Sequence, residues 1–241
     1  MSSYKTFAQF YDYLTENVDY KVRSEYISNF FSDCNKENAK LLDLACGTGT
    51  FTKLFSDMGY SVTGIDISEE MLTVAEEKCD GKAKLLKGDI TDFSLPNKYE
   101  FCICALDSIN HFNGIDDVKK CFKCVYNSLD KDGVFVFDVN TVYKHKIVLA
   151  DNTFVFDEKD FFLAWDNEYL GDNTVRILLD FFVFNGKSYD RFSEEFCEKA
   201  YEIDELITAL NGFEIIGIYD ELTENPPRED SERVYFVCKR K

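Results

Sequence analysis

The sequence predicts an α/β fold: a mostly parallel sheet with helices on both faces, an antiparallel β-rich stretch, then a short helix and hairpin. Three observations predict it. Between residues 41 and 139, short apolar runs alternate with segments of helical period. Residues 150–198 break that alternation with four strand-like runs, and Asn185-Gly186, a strong hairpin signal, joins the last two. Finally, 241 residues with only 3 Pro and no Pro-, Gly- or Ser-rich linker read as one domain with an elaboration.

Taken in order, Tyr4, Phe7, Tyr11 and Leu14 suggest a first helix, and Tyr20, Arg23, Ile27 and Phe30 or Phe31 a second. A polar loop, 33–40, leads to strand 41–46. Phe51, Leu54, Phe55 and Met58 mark the next helix, which Gly59 ends. Strand 61–67 runs into Ser68, a plausible N-cap with Glu69 and Glu70 in the first turn. Met71, Leu72, Ala75 and Cys79 give that helix its buried side. A third strand covers 83–87. The continuous apolar run 101–106 fits a strand covered on both faces. Val118, Cys121, Phe122, Val125 and Leu129 form a helix, and Asp130 to Gly133 turn into strand 134–139. The β-rich runs are 153–156, 161–169, 175–184 and 188–198. The run 175–184 is apolar enough to be covered, since a bare edge of that kind invites aggregation. Ile203, Leu206, Ile207 and Leu210 mark the last helix, and strands 213–219 and 234–238 flank an acidic loop.

Composition sets limits. The chain is 45% apolar, with 23 Phe and 14 Tyr, and long enough to bury a core without staples. Its 27 Lys and Arg against 45 Asp and Glu give a net charge of −18. That field repels phosphate backbones and counts against a nucleic-acid partner. The 9 Cys are an odd number, which disfavours a complete disulfide framework. Cys121 and Cys124 share a helical segment without a second Cys pair or a nearby His, so they read as free thiols. No metal site is expected. Free thiols suit a reducing cytosol, and neither a leader nor an apolar run of about 18 residues is visible, so a cytoplasmic protein outside the membrane is expected.

The chemistry concentrates between Leu41 and Ser68. A buried strand ends in Gly47-Thr-Gly-Thr50, which opens a helix, and the next strand ends in Asp66. This describes a nucleoside-binding crevice at the carboxyl ends of adjacent parallel strands. A dinucleotide site would prefer a third glycine at Thr52 and a turn free of acids, because pyrophosphate sits on the helix N-terminus. Here Asp43 lies close to the crevice floor, which suits a cofactor with positive charge. Asp66 is placed to accept both hydroxyls of a ribose.

With Asp43 to Gly49, Asp66 to Met71 and Gly88-Asp89-Ile90 in order, the sequence resembles the class I S-adenosylmethionine-dependent methyltransferases, in their small-molecule branch. The resemblance is firm over residues 41–139. It implies a Rossmann-like seven-stranded sheet of order 3-2-1-4-5-7-6 with strand 7 antiparallel, and S-adenosylmethionine as cofactor. Ala45 and Gly47 should lie under the methionine part and Leu106 should approach it with its carbonyl. Asp66 should take the ribose, Ile67 and Met71 should flank the adenine, and Asp89 and Ile90 should bind its amino group and a ring nitrogen. Tyr11, of the Tyr11-Asp12 pair, should close over the cofactor with Tyr20, or serve as a packing aromatic. The resemblance also implies one domain, 1–241: a helical lid (1–40), the core (41–139 and 199–241) and a β insertion (140–198) over the acceptor site.

Methyl transfer from a sulfonium needs alignment first and a base only where the nucleophile must lose a proton. His111, in the loop after strand four, is the candidate base or orienting group, with Tyr11 and Asp107 behind it; a structural hydrogen bond is the alternative role. His145, among Lys residues, reads as surface. Of the aromatics Phe154, Phe156, Phe161, Phe162, Trp165, Phe181, Phe182 and Phe184, packing is the default role, with one or two facing substrate. The expected acceptor is a nitrogen or oxygen of a small metabolite. Alternatives are tRNA, rRNA or protein methylation, or a non-methylating cofactor-binding module. The protein is expected as a monomer or homodimer.

Overall fold

The computed structural model describes residues 8, 11–12, 15–31, 38–159 and 161–241. Tyr4, Phe7 and Leu14 of the expected first helix lie outside these. Helix α1, Tyr20–Asn29, starts where the Asp19 side chain accepts the Val22 N–H at 2.9 Å. Its buried side is Ile27, continued by Phe31.

Seven strands form the main sheet: β1 (Lys40–Leu44), β2 (Ser61–Asp66), β3 (Lys84–Lys87), β4 (Tyr99–Cys104), β5 (Leu129–Asn140), β10 (Phe213–Asp220) and β11 (Arg233–Arg240). Their spatial order is β3-β2-β1-β4-β5-β11-β10, and β11 runs antiparallel to both neighbours. This is the expected 3-2-1-4-5-7-6 order, with four insertion strands counted before the last two. Helices α2 (Thr50–Asp57), α3 (Glu69–Cys79), α4 (Ile115–Ser128) and α5 (Ile203–Ala209) complete the α/β layers. One face of the sheet packs Leu42, Leu44, Phe135 and Phe137 with Phe122 and Leu206 of α4 and α5. The other packs Leu41, Phe101 and Tyr235 with Ile27, Phe31 and Phe55 on the α1–α2 side.

Local chemistry explains the boundaries. Gly49 takes a left-handed φ of 78°, and a Cβ there would stand 2.8 Å from the Ala75 Cβ, so only glycine lets the turn meet α3. Ser68 caps α3 as expected, its hydroxyl accepting the Met71 N–H at 3.2 Å. β4 stops at Cys104, short of the expected Leu106, because Leu106 and Asp107 both turn left-handed at φ 55° and 50°. The turn 130–133 is absorbed as a bulge in β5: Tyr99 pairs with Leu129, and Phe101 with Val134.

The second sheet is antiparallel, in the order β6 (Thr153–Glu158), β7 (Phe161–Gly171), β8 (Thr174–Phe184) and β9 (Tyr189–Lys199). β8 is interior, covered on both edges as its apolar sequence requires. The β8–β9 hairpin has a four-residue loop, where the Asn185 side chain accepts the Ser188 N–H at 2.9 Å and Gly186 supplies φ 92°. Phe161 and Phe181 are core, while Phe156 and Phe184 are exposed.

His145 contradicts the surface reading. A π-helical turn, Lys144–Leu149, folds between β5 and β6 and carries His145 and Leu149 inward on one side. His145 is fully buried and its Nδ1 lies 2.9 Å from the Asn173 carbonyl. Its Lys neighbours misled because adjacent side chains on the turn point in different directions: Lys146 is exposed.

Candidate active site

Left-handed backbone at Ala45, Gly47 and Gly49 (φ 53°, 53° and 78°) turns the chain sharply at the end of β1. A concavity opens there at the carboxyl ends of β1 and β4, lined among others by Tyr11, Tyr20, Asp43, Ala45, Gly47 and Leu106. Among its described lining residues there is no Lys or Arg. Asp66, Ile67, Met71, Asp89 and Ile90 stand outside this concavity, at the ends of β2 and β3 and on α3.

Asp43 is 2% exposed and accepts a hydrogen bond from the Thr52 hydroxyl at 2.5 Å. Burial pushes its carboxyl up to about 7; the Thr52 bond opposes this and the Asp66 charge adds to it. The residue that departs from the dinucleotide pattern, Thr52, is thus the partner of the acid that departs from it too. Asp66 accepts the Gly47 N–H on Oδ2 and the Ser68 N–H on Oδ1, both at 2.8 Å. Burial raises this carboxyl, while those N–H groups and His111 oppose the shift. The Ile67 N–H also acts on this carboxylate, whose four acceptor positions still leave capacity for a further donor. Ile67 is 68% exposed, an apolar side chain presented at the crevice edge. Asp89 is exposed and binds the Thr91 N–H and hydroxyl at 2.8 and 2.7 Å, fixing the loop that carries the buried Ile90.

The N-terminal segment is tied across the glycine turn. Asp12 accepts from the Thr48 hydroxyl at 2.6 Å and from Lys78 at 2.8 Å, and Lys78 also donates to Thr48 and Thr50. This places Tyr11 on the concavity, where burial raises its hydroxyl pKa well above the ordinary value. Tyr20 meets the Phe51 ring edge-on at 5.1 Å.

The wall after β4 rests on a buried ion network. The consecutive left-handed residues Leu106 and Asp107 aim their N–H groups at the Asp138 carboxylate, at 2.8 and 3.1 Å. Arg233, from β11, pairs with Asp138 and donates to Asp107 at 2.6 Å. Burial alone would raise the Asp107 carboxyl, but Arg233, Lys144 and His111 pull it below its ordinary value.

At the far side of this wall, His111 meets the insertion. It is half exposed, its ring lies 5.3 Å from that of Phe196, and its Nε2 is 3.8 Å from Glu198 Oε1. Glu198, the one buried residue of β9, is 6% exposed. Its Oε2 is 3.4 Å from the Asn140 amide and 3.7 Å from His145 Nε2. Ligand-type atoms of Asp107, His111 and Glu198 come within 4.8 Å of one another, a grouping invisible in the sequence. Asp107 is already paired to Arg233, and the Lys144 charge also acts there, so a singly charged or hydrogen-donating group suits the cluster better than a doubly charged ion.

Sequence reasoning missed Glu198, His145, Asp138, Arg233 and Lys78. Asp138 carried a signal, an acid inside the apolar strand Val134–Val139, which a buried sheet permits only with a partner. Glu198 carried none, being one acid among several in β9.

Comparison with known proteins agrees with this architecture. A family model described as a methyltransferase domain matches residues 41–133. The chain is 31% identical to YqeM of Bacillus subtilis, itself provisionally named a methyltransferase, over 98% of this chain and 97% of that one. It is 31% identical over 137 residues to a dTDP-3-amino-3,4,6-trideoxy-α-D-glucopyranose N,N-dimethyltransferase of Streptomyces venezuelae, covering 54% of this chain and 56% of the relative. The crystal structure of an S-adenosylmethionine-dependent methyltransferase from Clostridium acetobutylicum superposes with a TM-score of 0.89 at 34% identity, over 99% of each chain. The chain belongs to the class I S-adenosylmethionine-dependent methyltransferases, and S-adenosylmethionine is its methyl donor.

Proposed function

We propose that the methyl group goes to a nitrogen or oxygen of a small metabolite, in the crevice between the Tyr11 segment, the β4 wall and the insertion. The observation that carries this reading is the loop after β4: its start, Leu106 and Ser108, lines the concavity with Tyr11 and Tyr20, and its end, His111, meets Phe196 and Glu198 of the insertion. The relative that dimethylates an amino sugar supports a small acceptor and favours nitrogen. The net charge of −18 counts against RNA.

The residues fit a cationic donor, because the concavity carries the buried acid Asp43 and no lining Lys or Arg among the described residues. In this reading Ala45, Gly47 and the Leu106 carbonyl hold the methionine part over Asp43. Asp66 takes the ribose on its remaining lone pairs. Ile67 and Met71 flank the adenine, and Asp89 and the Ile90 N–H read its edge. Bound there, the donor supplies a methyl group on an activated sulfonium. The protein aligns a nucleophile at about 3 Å from the methyl carbon and excludes water, with Tyr11 and Tyr20 as cover. His111 orients the acceptor or takes its proton. Residues 1–40 act as lid and 140–198 as roof on the 41–139 and 199–241 core.

The test is incubation with methyl-labelled S-adenosylmethionine and a deproteinised metabolite extract, in parallel with tRNA, rRNA and a protein lysate. Label in the small-molecule fraction is expected. Label that precipitates with RNA or protein overturns the reading.

A further inference from the structure

We infer that Glu198 is the acceptor-binding group of this site: its carboxylate holds a basic nitrogen of the acceptor beside the cofactor crevice and takes the proton that nitrogen loses. The inference rests on the small-acceptor reading above and narrows it to an aliphatic amine.

The geometry is unusual for so ordinary a residue. The chain has 2 His, and both face this one carboxylate, from the connections after β4 and after β5. They meet opposite oxygens. His145 Nδ1 faces the Asn173 carbonyl at 2.9 Å and so carries the ring proton, which leaves Nε2 a bare lone pair. That buried Nε2 has no hydrogen bond among the described residues and points at Oε2. At 3.7 Å the bare lone pair and the ionised carboxylate make no hydrogen bond, so His145 Nε2 stands ready to accept one once Glu198 gains a proton. The other oxygen, Oε1, lies 3.8 Å from Nε2 of half-exposed His111, which stands between it and solvent. The link to the cofactor side is electrostatic as well as spatial: His111 acts on Asp66 as well as on Glu198, and Asp107 on Tyr11 as well as on Glu198.

The surroundings set the proton balance. Burial pushes the Glu198 carboxyl up to about 7, and Asp107 adds to the shift. His111, Lys144 and the Asn140 amide oppose it, while Arg233 neutralises Asp107 from behind. His145 is held neutral by burial. An alkylammonium therefore enters against an ionised Glu198 and passes one proton to it. The freed nitrogen lone pair attacks the methyl carbon: the C–N bond forms, the C–S bond breaks, and its electron pair stays on sulfur. The proton rests on Glu198, shared with His145 Nε2, and exchanges with solvent past His111.

The experiment uses the full chain saturated with the product S-adenosylhomocysteine. Two histidines give two sets of imidazole NMR signals, and methylamine is the minimal amine probe, with methanol and equal sodium chloride as controls. Methylamine is expected to move the His111 signals saturably while the controls do not. In Glu198→Gln the affinity should fall at least about tenfold, with S-adenosylhomocysteine affinity kept within about twofold. In the wild type alone, methylamine affinity should rise as pH climbs through about 7, because Glu198 must lose its proton to hold a cation. No methylamine response, a pH-independent one, or one retained in Glu198→Gln overturns the inference. A response to magnesium chloride matching that to methylamine overturns it too, by showing a general cation site. Failure of S-adenosylhomocysteine to bind is a different result, and it strikes the cofactor site rather than Glu198.

Discussion

Asp43 shows how one residue would link stability to the proposed cofactor site. Its folded pKa of about 7 lies above the unfolded carboxylate value, so its stabilising contribution is complete at acid pH and disappears as pH rises through 7. Without cofactor, the protein should lose stability across that range. Asp43→Asn keeps an acceptor for Thr52 and removes the charge, so its urea midpoint should overtake that of the wild type above about pH 7, by an amount on the order of 1–4 kcal/mol. A variant that stays parallel to the wild type at every pH would show that Asp43 titrates normally. With the donor's positive charge above Asp43, as proposed, the sign reverses for binding. The wild type should bind S-adenosylmethionine more tightly as pH rises from 6 to 8 and release a proton, and calorimetry in buffers of different ionisation enthalpy reads both. Asp43 was legible in the sequence as an acid in the wrong place for pyrophosphate. Thr52 was legible only as a missing glycine, because the bond joining them crosses from strand to helix.

At the scale of elements, the β4 wall and the N-terminal segment differ in what holds them. Arg233 on β11 satisfies Asp138 on β5, and Asp138 in turn pins the left-handed N–H pair of Leu106 and Asp107. Arg233→Leu leaves two acids facing each other without their cation, in a setting where Asp138 is fully buried. It should cost about 3–5 kcal/mol in urea unfolding. A loss under about 1 kcal/mol would mean the network is not what supports the wall. The Asp12–Lys78 tie is more exposed, with side chains 43% and 21% accessible. Lys78→Met should therefore shift the unfolding midpoint by less than about 1 kcal/mol. Its effect should appear instead in S-adenosylmethionine affinity, weakened about fivefold as Tyr11 loses its anchor, a change unfolding measurements do not register. Apolar period revealed the strands and helices themselves, yet the ends of β4 and β5 were misplaced. Leu106 is apolar enough to continue a strand; the Asp138 carboxylate, 32 residues away, is what turns it out of the sheet.

For the whole molecule, the question is how two sheets become one site. Each was readable alone, the parallel one from continuous apolar runs and the antiparallel one from alternation and the Asn185-Gly186 turn. Their union was not, because it is made by polar side chains scattered through the chain. Asn110 is the clearest case. It is fully buried, accepts the Asn140 N–H at 2.9 Å, and donates to the carbonyls of Asn140 and Lys199 at 3.1 and 3.0 Å. It thus binds the end of β5 to the end of β9, one residue from Glu198. His145 makes a parallel tie through Asn173, at the β7–β8 turn. Asn110→Ala leaves a buried N–H and two buried carbonyls without these bonds, so a loss of about 2–4 kcal/mol is expected on unfolding. The consequence for function should be selective. Most of the proposed cofactor residues sit at the ends of β1, β2 and β3, and Leu106 is pinned separately by Asp138, so S-adenosylmethionine affinity should change by less than about twofold. Glu198 and His111 do depend on it, so methylamine binding should fall by at least about tenfold. If both affinities fell together, the insertion would be holding the cofactor half of the site as well. If neither fell, the two sheets would be positioned by their apolar contacts, and Asn110 would be a stabilising residue alone.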